Sequence, residues 1–397
     1  MQNKLFEEAQ IKFKSWYGKP PTTAAYAPGR VEILGNHTDY NEGFVLSAAI
    51  NYGTFFLACQ NENNIESDSC RIVAGDLMEE VGFSLSRPKT ATDHHWPNYI
   101  IGVASEMALR LSATTPFCGL FFGNVPLGSG LASSAALEMS TALALLDLNG
   151  ISTDRIELAK IGQKAEHDYV GAKTGLLDQI SSLYAIKDRL VLSDFRNLDV
   201  QTVPLPEDIC FLVCDTGTKH SLGESDYNTR REACERATRF FSGRLDHPVS
   251  ALRDVSLDEW KHYSTKMGTE EAKRSAHVIE ENTRVLKGGA LLKSGNTAAF
   301  GRLMYQSHNS SRNNFENSCT ELDVLVKAAS NINEVLGARL SGGGFGGSAV
   351  MLVNPADVGG IIQRLNAEYA LKVGCEFTPF VIEASDGARV RRPGTAA

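Results

Sequence analysis

Residues 29–43 read GRVEILGNHTDYNEG. Arg30, Glu32, Asn36, His37, Asp39 and Asn41 are packed between glycines in this one stretch. Ala27 and Pro28 precede it, and the apolar run Phe44, Val45, Leu46 follows. The pattern is a polar, glycine-rich turn set between two strand-like runs. So many hydrogen-bonding groups in one turn need partners of their own.

The chain around this turn has 397 residues, which suggests two or three domains. Apolar residues make up 43% and charged residues 22%, a mix able to bury sizeable cores. The net charge of −8 argues against nucleic acid or an anionic membrane as the main partner. No apolar run is long enough for a membrane span. Glu7 and Glu8 interrupt the N-terminal helical pattern, so a secretory signal is not expected there. The eight cysteines form no CxxC pair and no zinc-like spacing with histidine. They read as reduced thiols in a cytoplasmic protein.

Strands are expected at 45–50 with 54–59, and at 119–122, 209–214 and 349–353. Helices are expected at 98–111, 133–148, 154–169, 226–240, 270–287, 297–307 and 320–329. The 133–148 segment is apolar on almost every face, so it should be buried. It stops at Asn149-Gly150, a helix exit. Strands and helices mix throughout, which makes the class α/β or α+β. The stretch 191–206, with Asp194 and nearby prolines, reads as the domain boundary. This gives an N-terminal domain at 1–195 and a C-terminal domain at 196–397.

Two further glycine-rich elements carry chemistry. The first is VPLGSGLASSAA at 125–136, a strand running through a glycine loop into a long helix. A helix start presents free N–H groups and the positive end of its dipole. Glycines let a phosphate approach them, and Ser133 or Ser134 can add a hydroxyl to phosphate or magnesium. A packed, capped helix start is the plainer alternative; the glycines and the serine pair together favour anion binding. No GxxxxGK[ST] occurs, so this is not the common P-loop. The second element is LSGGGFGGS at 340–348. It holds a formal GxGxxG at Gly342, Gly344 and Gly347, but a strand follows it where a dinucleotide fold needs a helix. It reads either as a plain tight turn or as a loop against the phosphate site.

Taken together, the three elements resemble the GHMP kinases and, within them, the galactokinase branch. Residues 29–43 are similar to that branch's sugar signature, usually close to GRVNLIGEHTDYNGG. Residues 128–136 resemble the ATP motif, usually close to GGGLSSSA, and 342–347 resemble the third motif. Trp96-Pro97-Asn98-Tyr99, Ala165-Glu166-His167, Gly175-Leu176-Leu177-Asp178-Gln179, His308-Asn309-Ser310 and Glu321-Leu322-Asp323 extend the likeness in order along nearly the whole chain. The resemblance implies a two-domain fold with a left-handed βαβ unit in the first domain. It implies a ferredoxin-like second domain and an active site in the cleft between them.

It also implies an ATP- and Mg2+-dependent kinase acting on the C1 hydroxyl of D-galactose. Asp178 is then the base and Arg30 the charge stabiliser. A simple helix cap is the alternative reading of Asp178, and both can hold at once. Asn36, His37, Asp39, Gly175 and Tyr227 are the implied sugar contacts. Trp96, Gly128, Ser129, Gly130, Leu131, Ser133, Ser134 and Gly344 are the implied nucleotide contacts. Ser133 and Glu166 are the implied magnesium ligands. Sugar and ATP are the expected partners of a monomer.

The match departs from the motifs at named positions. Asn36 stands where the signature has glutamate, Ala132 and Ser129 alter the ATP loop, and Ser348 replaces a common cysteine. The glutamate of the signature contacts the sugar's C6 hydroxyl. Its loss leaves galacturonate, or another sugar, as an alternative substrate. A catalytically silent sugar and nucleotide sensor is the reading from a different class. The presence of Ser133, Ser134, Asp178, Arg30 and Glu166 sets it behind the kinase.

Overall fold

The polar turn joins two long strands. The computed structural model describes residues 2–62, 68–91, 95–219 and 223–392. Strands β1 (Thr23–Leu34) and β2 (Phe44–Gln60) form an antiparallel ribbon on either side of the turn. Every residue of β1 is buried. Its register breaks between Pro28 and Arg30, where proline offers no amide to the ladder. β3 (Ser69–Ala74), β4 (Glu79–Ser84) and β5 (Phe117–Gly123) widen the sheet. β3 lies parallel to β5, and the other pairings are antiparallel.

β2 is long enough to serve two neighbours. Residues 54–60 pair with β5, and 44–47 pair with β6 (Arg189–Asp194). β7 (Asp199–Pro204) completes a hairpin with β6. The stretch 191–206 is therefore sheet, although its polar turn and prolines read as a linker. The hand-over to the second sheet falls between Pro204 and Cys210.

That sheet contains β8 (Cys210–Lys219), β9 (Val335–Ser341), β10 (Gly346–Val353) and β11 (Thr378–Ile382). Its order is β11-β8-β10-β9, all antiparallel. With helices after β8 and after β10, this is a ferredoxin-like arrangement. β12 (Arg389–Val390) then returns to the edge of β1.

Alternation sends side chains to two faces of each sheet. Tyr26, Phe55 and Leu57 meet Phe6 and Phe13 of α1 (Gln2–Tyr17). Ala25, Ala27, Phe56 and Ala58 face the opposite layer. That layer holds α2 (Trp96–Leu111), α3 (Ser133–Asn149), α4 (Arg155–Ala165) and α5 (Leu177–Tyr184). α3 is buried on most sides, as its apolar pattern requires, and Gly150 closes it in the left-handed conformation. α4 stops at Ala165 and passes into a π-helical turn, Glu166–Val170, inside the helix expected to reach 169.

α6 (Gly223–Ser242), α7 (Leu257–Tyr263), α8 (Thr269–Lys293), α9 (Thr297–Ser310) and α10 (Thr320–Ala329) lie between β8 and β9. α11 (Val358–Val373) lies between β10 and β11. Leu212, Cys214 and Met351 pack on Leu325 of α10 and Tyr369 of α11. Phe211, Val213 and Val350 point the other way and join Ile33, Leu46, Val285 and Phe300. This second core binds the two sheets together and fixes the cleft between them. All eight cysteines are free thiols, six of them buried. Among the described residues no helix is long and apolar enough to cross a membrane.

Phe300 is fully buried where both lobes contribute to one core. Phe300→Ala is expected to remove about 3–5 kcal/mol of stability. Urea unfolding followed by fluorescence and by circular dichroism checks it. A loss below about 1 kcal/mol would mean the site collapses to fill the gap.

Candidate active site

The three glycine-rich elements meet in the cleft. The Arg30 amide donates to the Leu131 carbonyl at 3.0 Å. A Cβ at position 29 would lie 2.3 Å from that same carbonyl oxygen, so only glycine lets β1 run this close to the loop. The Ser348 hydroxyl donates to the Ser129 carbonyl at 2.7 Å and ties in the third element.

Arg30 and Asp178 are 148 positions apart in sequence and form an ion pair here. Nε and Nη2 of Arg30 reach Oδ1 of Asp178 at 2.7 and 2.5 Å. Nη1 donates to the Gly130 carbonyl at 2.6 Å. Asp178 sits in the first turn of α5, whose cap position is Leu176, so it is not itself the cap. Its Oδ2 has no hydrogen bond within the described residues.

A cavity of about 170 Å³ opens beside this pair, lined by Arg30, Glu32, Asp39, Gly175, Asp178 and Tyr227, with Asn36 and His37 at its wall. Asp39 approaches Gly175 so closely that a Cβ there would lie 1.9 Å from Oδ2. Burial pushes the Asp39 carboxyl up to about 6, helped by the charges of Glu32 and Asp178. Tyr227 lies with its ring 5.0 Å from that of His37.

Much of the polar turn is satisfied by protein. Nε2 of His37 donates to the Gly343 carbonyl at 3.0 Å, and Nδ1 accepts from the Tyr40 hydroxyl at 2.9 Å. Burial holds this imidazole down to about 3, so it stays neutral. Thr38 donates to the Gly35 and Phe44 carbonyls, and Asn41 to the His37 carbonyl. The Asn36 amide donates to Glu32 and to the Gly342 carbonyl, and accepts from Asn317. Between Gly35 and Gly43, the Asp39 carboxylate faces the cavity.

Sequence reasoning missed Glu32. It follows Arg30 by two on β1 and therefore faces the same cavity. Its Oε1 accepts from Asn36 at 3.1 Å and from Arg339 at 2.8 Å. Arg339 is fully buried, so the pair is a buried salt bridge under the turn.

A second cavity, about 460 Å³, lies on the other side of the phosphate loop. Trp96, Tyr99, Phe121 and Leu137 give it apolar walls, and Ser133 and Ser134 close one end. A flat base with a phosphate tail fits this shape. The cap position of α3 is Ala132 in the left-handed conformation, with no side-chain cap. The helix N–H groups are thus left for an anion. Gly128 and Gly130 also have positive φ, which shapes the loop. Leu131 is core, and the Ser129 hydroxyl is turned to Asp215. Gly344, assigned from sequence to the nucleotide, packs instead on the Asn317 carbonyl. Its neighbours Gly342 and Gly343 line the smaller cavity.

Behind Ser134, Glu166 accepts from Thr174 and from Gln179 at 3.4 Å. Burial raises its pKa, and it raises that of fully buried Glu138 well above the ordinary range. Glu138 is a second residue that sequence reasoning passed over. Among the described residues no three His, Cys, Asp or Glu side chains gather around one point.

Comparison with known proteins shows the family. Residues 11–59 match the galactokinase galactose-binding signature. Residues 98–185 match the GHMP kinases N terminal domain, and 290–371 the GHMP kinases C terminal domain. A galactokinase of Pasteurella multocida is 38% identical over 97% of this chain and 99% of its own. One of Haemophilus influenzae is 37% identical over the same shares. The chain belongs to the galactokinase family of GHMP kinases. The solved structure of Lactococcus lactis galactokinase complexed with galactose superposes with a TM-score of 0.89 at 30% identity, covering 97% and 99% of the two chains. A mevalonate kinase shares the fold alone, at 18% identity and a TM-score of 0.61.

Against the galactokinase signature, positions 32 and 36 are exchanged. The signature has asparagine at the first and glutamate at the second, and this chain has Glu32 and Asn36. That reversal was the sequence signal for Glu32.

Asp39 can accept two sugar hydroxyls only when ionised. Turnover efficiency (kcat/KM) for the sugar is therefore expected to fall as pH drops through about 6. Asp39→Asn should lower the efficiency and remove that limb; an unchanged limb would assign the titration elsewhere. Gly175→Ala should displace Asp39 and raise the sugar KM about tenfold or more, with ATP KM unchanged. Steady-state kinetics with each substrate varied checks this.

Proposed function

We propose that this chain transfers the γ-phosphoryl group of ATP to the C1 hydroxyl of D-galactose, giving galactose 1-phosphate and ADP. The Arg30–Asp178 pair carries this reading. It stands between a small cavity walled by carboxylates and a larger one that ends on an open helix N-terminus.

The sugar occupies the smaller cavity, with C1 toward Asp178. Arg30 holds Oδ1 and leaves Oδ2 to accept the proton from the attacking hydroxyl. The phosphates lie on the loop at 128–134 and the first turn of α3, where N–H groups meet negative charge. Arg30 also grips the Gly130 carbonyl, so one guanidinium fixes both the base and the loop. It stabilises charge as the phosphoryl group moves. Trp96 and Tyr99 enclose the adenine. His37 and Asn36 act by holding the wall in shape.

The hydroxyls of Ser133 and Ser134 and the Glu166 carboxylate are hard oxygen donors and suit Mg2+. Bound there, the cation would neutralise charge on the phosphates. The first lobe, expected at 1–195, supplies both cavities' main walls, and the second adds Tyr227 and residues 342–343. The free thiols support a cytoplasmic setting. Galacturonate fits poorly, because Glu32 and Asp39 both present carboxylates to the cavity. The intact catalytic pair and open helix start favour the kinase over a silent sensor.

ATP turnover is to be measured with D-galactose, D-galacturonate and D-glucose. Galactose is expected to be preferred, and Asp178→Asn to lower kcat by about 10²–10⁴-fold while sugar binding persists. No turnover despite binding of sugar and ATP would overturn the kinase reading.

A further inference from the structure

Gly128 and Gly130 bend the phosphate loop with positive φ, and between them only Ser129 offers a side chain. We propose that Asp215 and Ser348 of the second lobe are positioning residues for the phosphate site, holding the loop at 128–134 in shape through Ser129. The proposal rests on the nucleotide phosphates lying on that loop.

Ser129 is bonded through both its side chain and its backbone. Its hydroxyl donates to Oδ2 of Asp215. Its carbonyl accepts from the Ser348 hydroxyl at 2.7 Å. Ser129 is 3% exposed and Ser348 1%, so both contacts are shielded from water.

The two partners are neighbours across strands. Asp215 on β8 stands directly opposite Ser348 on β10. The register shifts between Gly346 and Ser348, and Gly347 has positive φ. An irregularity of this kind re-aims the side chains beside it. Asp215 is held in its turn. Its Oδ1 accepts from the Gly217 amide at 2.9 Å, which leaves Oδ2 for Ser129. Thr216 donates to the Gly347 carbonyl at 2.7 Å and ties the two strand ends together. The anchor is therefore built within the second sheet before it meets the loop.

The first lobe holds the same loop from its own side. The Arg30 amide donates to the Leu131 carbonyl, and Nη1 of Arg30 donates to the Gly130 carbonyl. Residues 129, 130 and 131 are thus each fixed, the first by the second lobe and the others by β1. A loop with two glycines has much conformational entropy to lose when it closes on a ligand. Ordering it beforehand removes that cost from nucleotide binding.

The sequence departs from the motifs at these same places. Ser129 stands where the ATP motif has glycine, and Ser348 where a cysteine is common. Each change is slight alone, and the fold joins them. A glycine at 129 would offer a carbonyl but no hydroxyl. Asp215 would then face the loop as a bare carboxylate, which repels phosphate. The Ser129 hydroxyl makes it an anchor instead.

The test is ATP and D-galactose affinity by titration calorimetry, with hydrogen–deuterium exchange of the loop amides. The proteins are wild type, Ser129→Ala, Asp215→Ala, their double variant, Asp215→Asn and Ser348→Ala. Ser129→Ala and Asp215→Ala are each expected to weaken ATP about tenfold, with galactose affinity unchanged. The double variant should lose that same factor and not about a hundredfold, because both changes remove one bond. Ser348→Ala should weaken ATP about threefold or more. Loop amides should exchange faster in these variants, while those of α10 do not. Asp215→Asn should recover most of the affinity lost in Asp215→Ala. Its oxygen can keep the Gly217 amide while its NH2 group donates to the Ser129 hydroxyl.

Tighter ATP binding in Asp215→Ala would mean that the carboxylate acts on the phosphates by charge, and would overturn the proposal. So would losses that multiply in the double variant, or unchanged ATP affinity in Ser129→Ala, Asp215→Ala or Ser348→Ala. Loss of galactose binding in parallel, in Asp215→Asn as well, would make the anchor a general support of the fold and also overturn it. These are equilibrium readouts, so they stand whether or not a sugar is phosphorylated. Turnover by wild type decides the kinase reading separately, and a wild type that binds no ATP would overturn both.

Discussion

The Arg30 amide bonded to the Leu131 carbonyl sets the geometry on which the site depends. Strand β1 belongs to the first sheet, and Leu131 belongs to the loop that opens α3. Their contact brings a backbone edge against a phosphate-type loop with no side chain between. Gly29 is the condition for it, since any Cβ would overlap the carbonyl. From that contact Arg30 reaches Gly130 with one nitrogen and Asp178 with two others. A shift of β1 would part Asp178 from the loop.

The cleft is built from buried charge, and each charge has a different support. Glu32 is matched by Arg339, which has no solvent contact. Glu281 lies under the turn and accepts from the Gly35 amide and the Ser307 hydroxyl; against the cost of burial, the charge of Arg284 above all holds its carboxyl far below the usual range. Among the described residues Asp39 has no ion-pair partner, and burial raises its carboxyl to about 6. A buried carboxylate of this kind gains most from hydroxyl donors. The polar stretch thus divides into groups already satisfied by protein and the carboxylates of Glu32 and Asp39 that face the cavity.

The strands at 119–122, 209–214 and 349–353 were legible because apolar, β-branched runs end at glycine or polar breaks, whereas the two expected at 45–50 and 54–59 are one continuous strand through the polar Asn51-Tyr52-Gly53. The helix at 320–329 was legible to the residue. The hairpin of β6 and β7 was not, because prolines and a polar turn look alike in a linker and in an edge hairpin. The π-helical turn after Ala165 leaves no mark in apolar spacing. At the site, Arg30 and Asp178 were legible only through motifs, as nothing local links residues 148 apart. The engagement of Asn36 and His37 was hidden for the same reason. Their partners Gly342 and Gly343 lie 306 positions away.

The reversal at 32 and 36 shows why a single departure from a motif misleads. Taken alone, Asn36 for glutamate removes a negative charge and seems to admit an acidic sugar. The fold puts Glu32 within 3.1 Å of that amide, so the charge was moved and not removed. A buried carboxylate can move only if its cation can still reach it. Arg339 comes from the second sheet and meets Glu32 on the strand directly. The pair spans both lobes at the floor of the cavity. The charge presented to the cavity and the joining of the lobes therefore rest on the same two side chains.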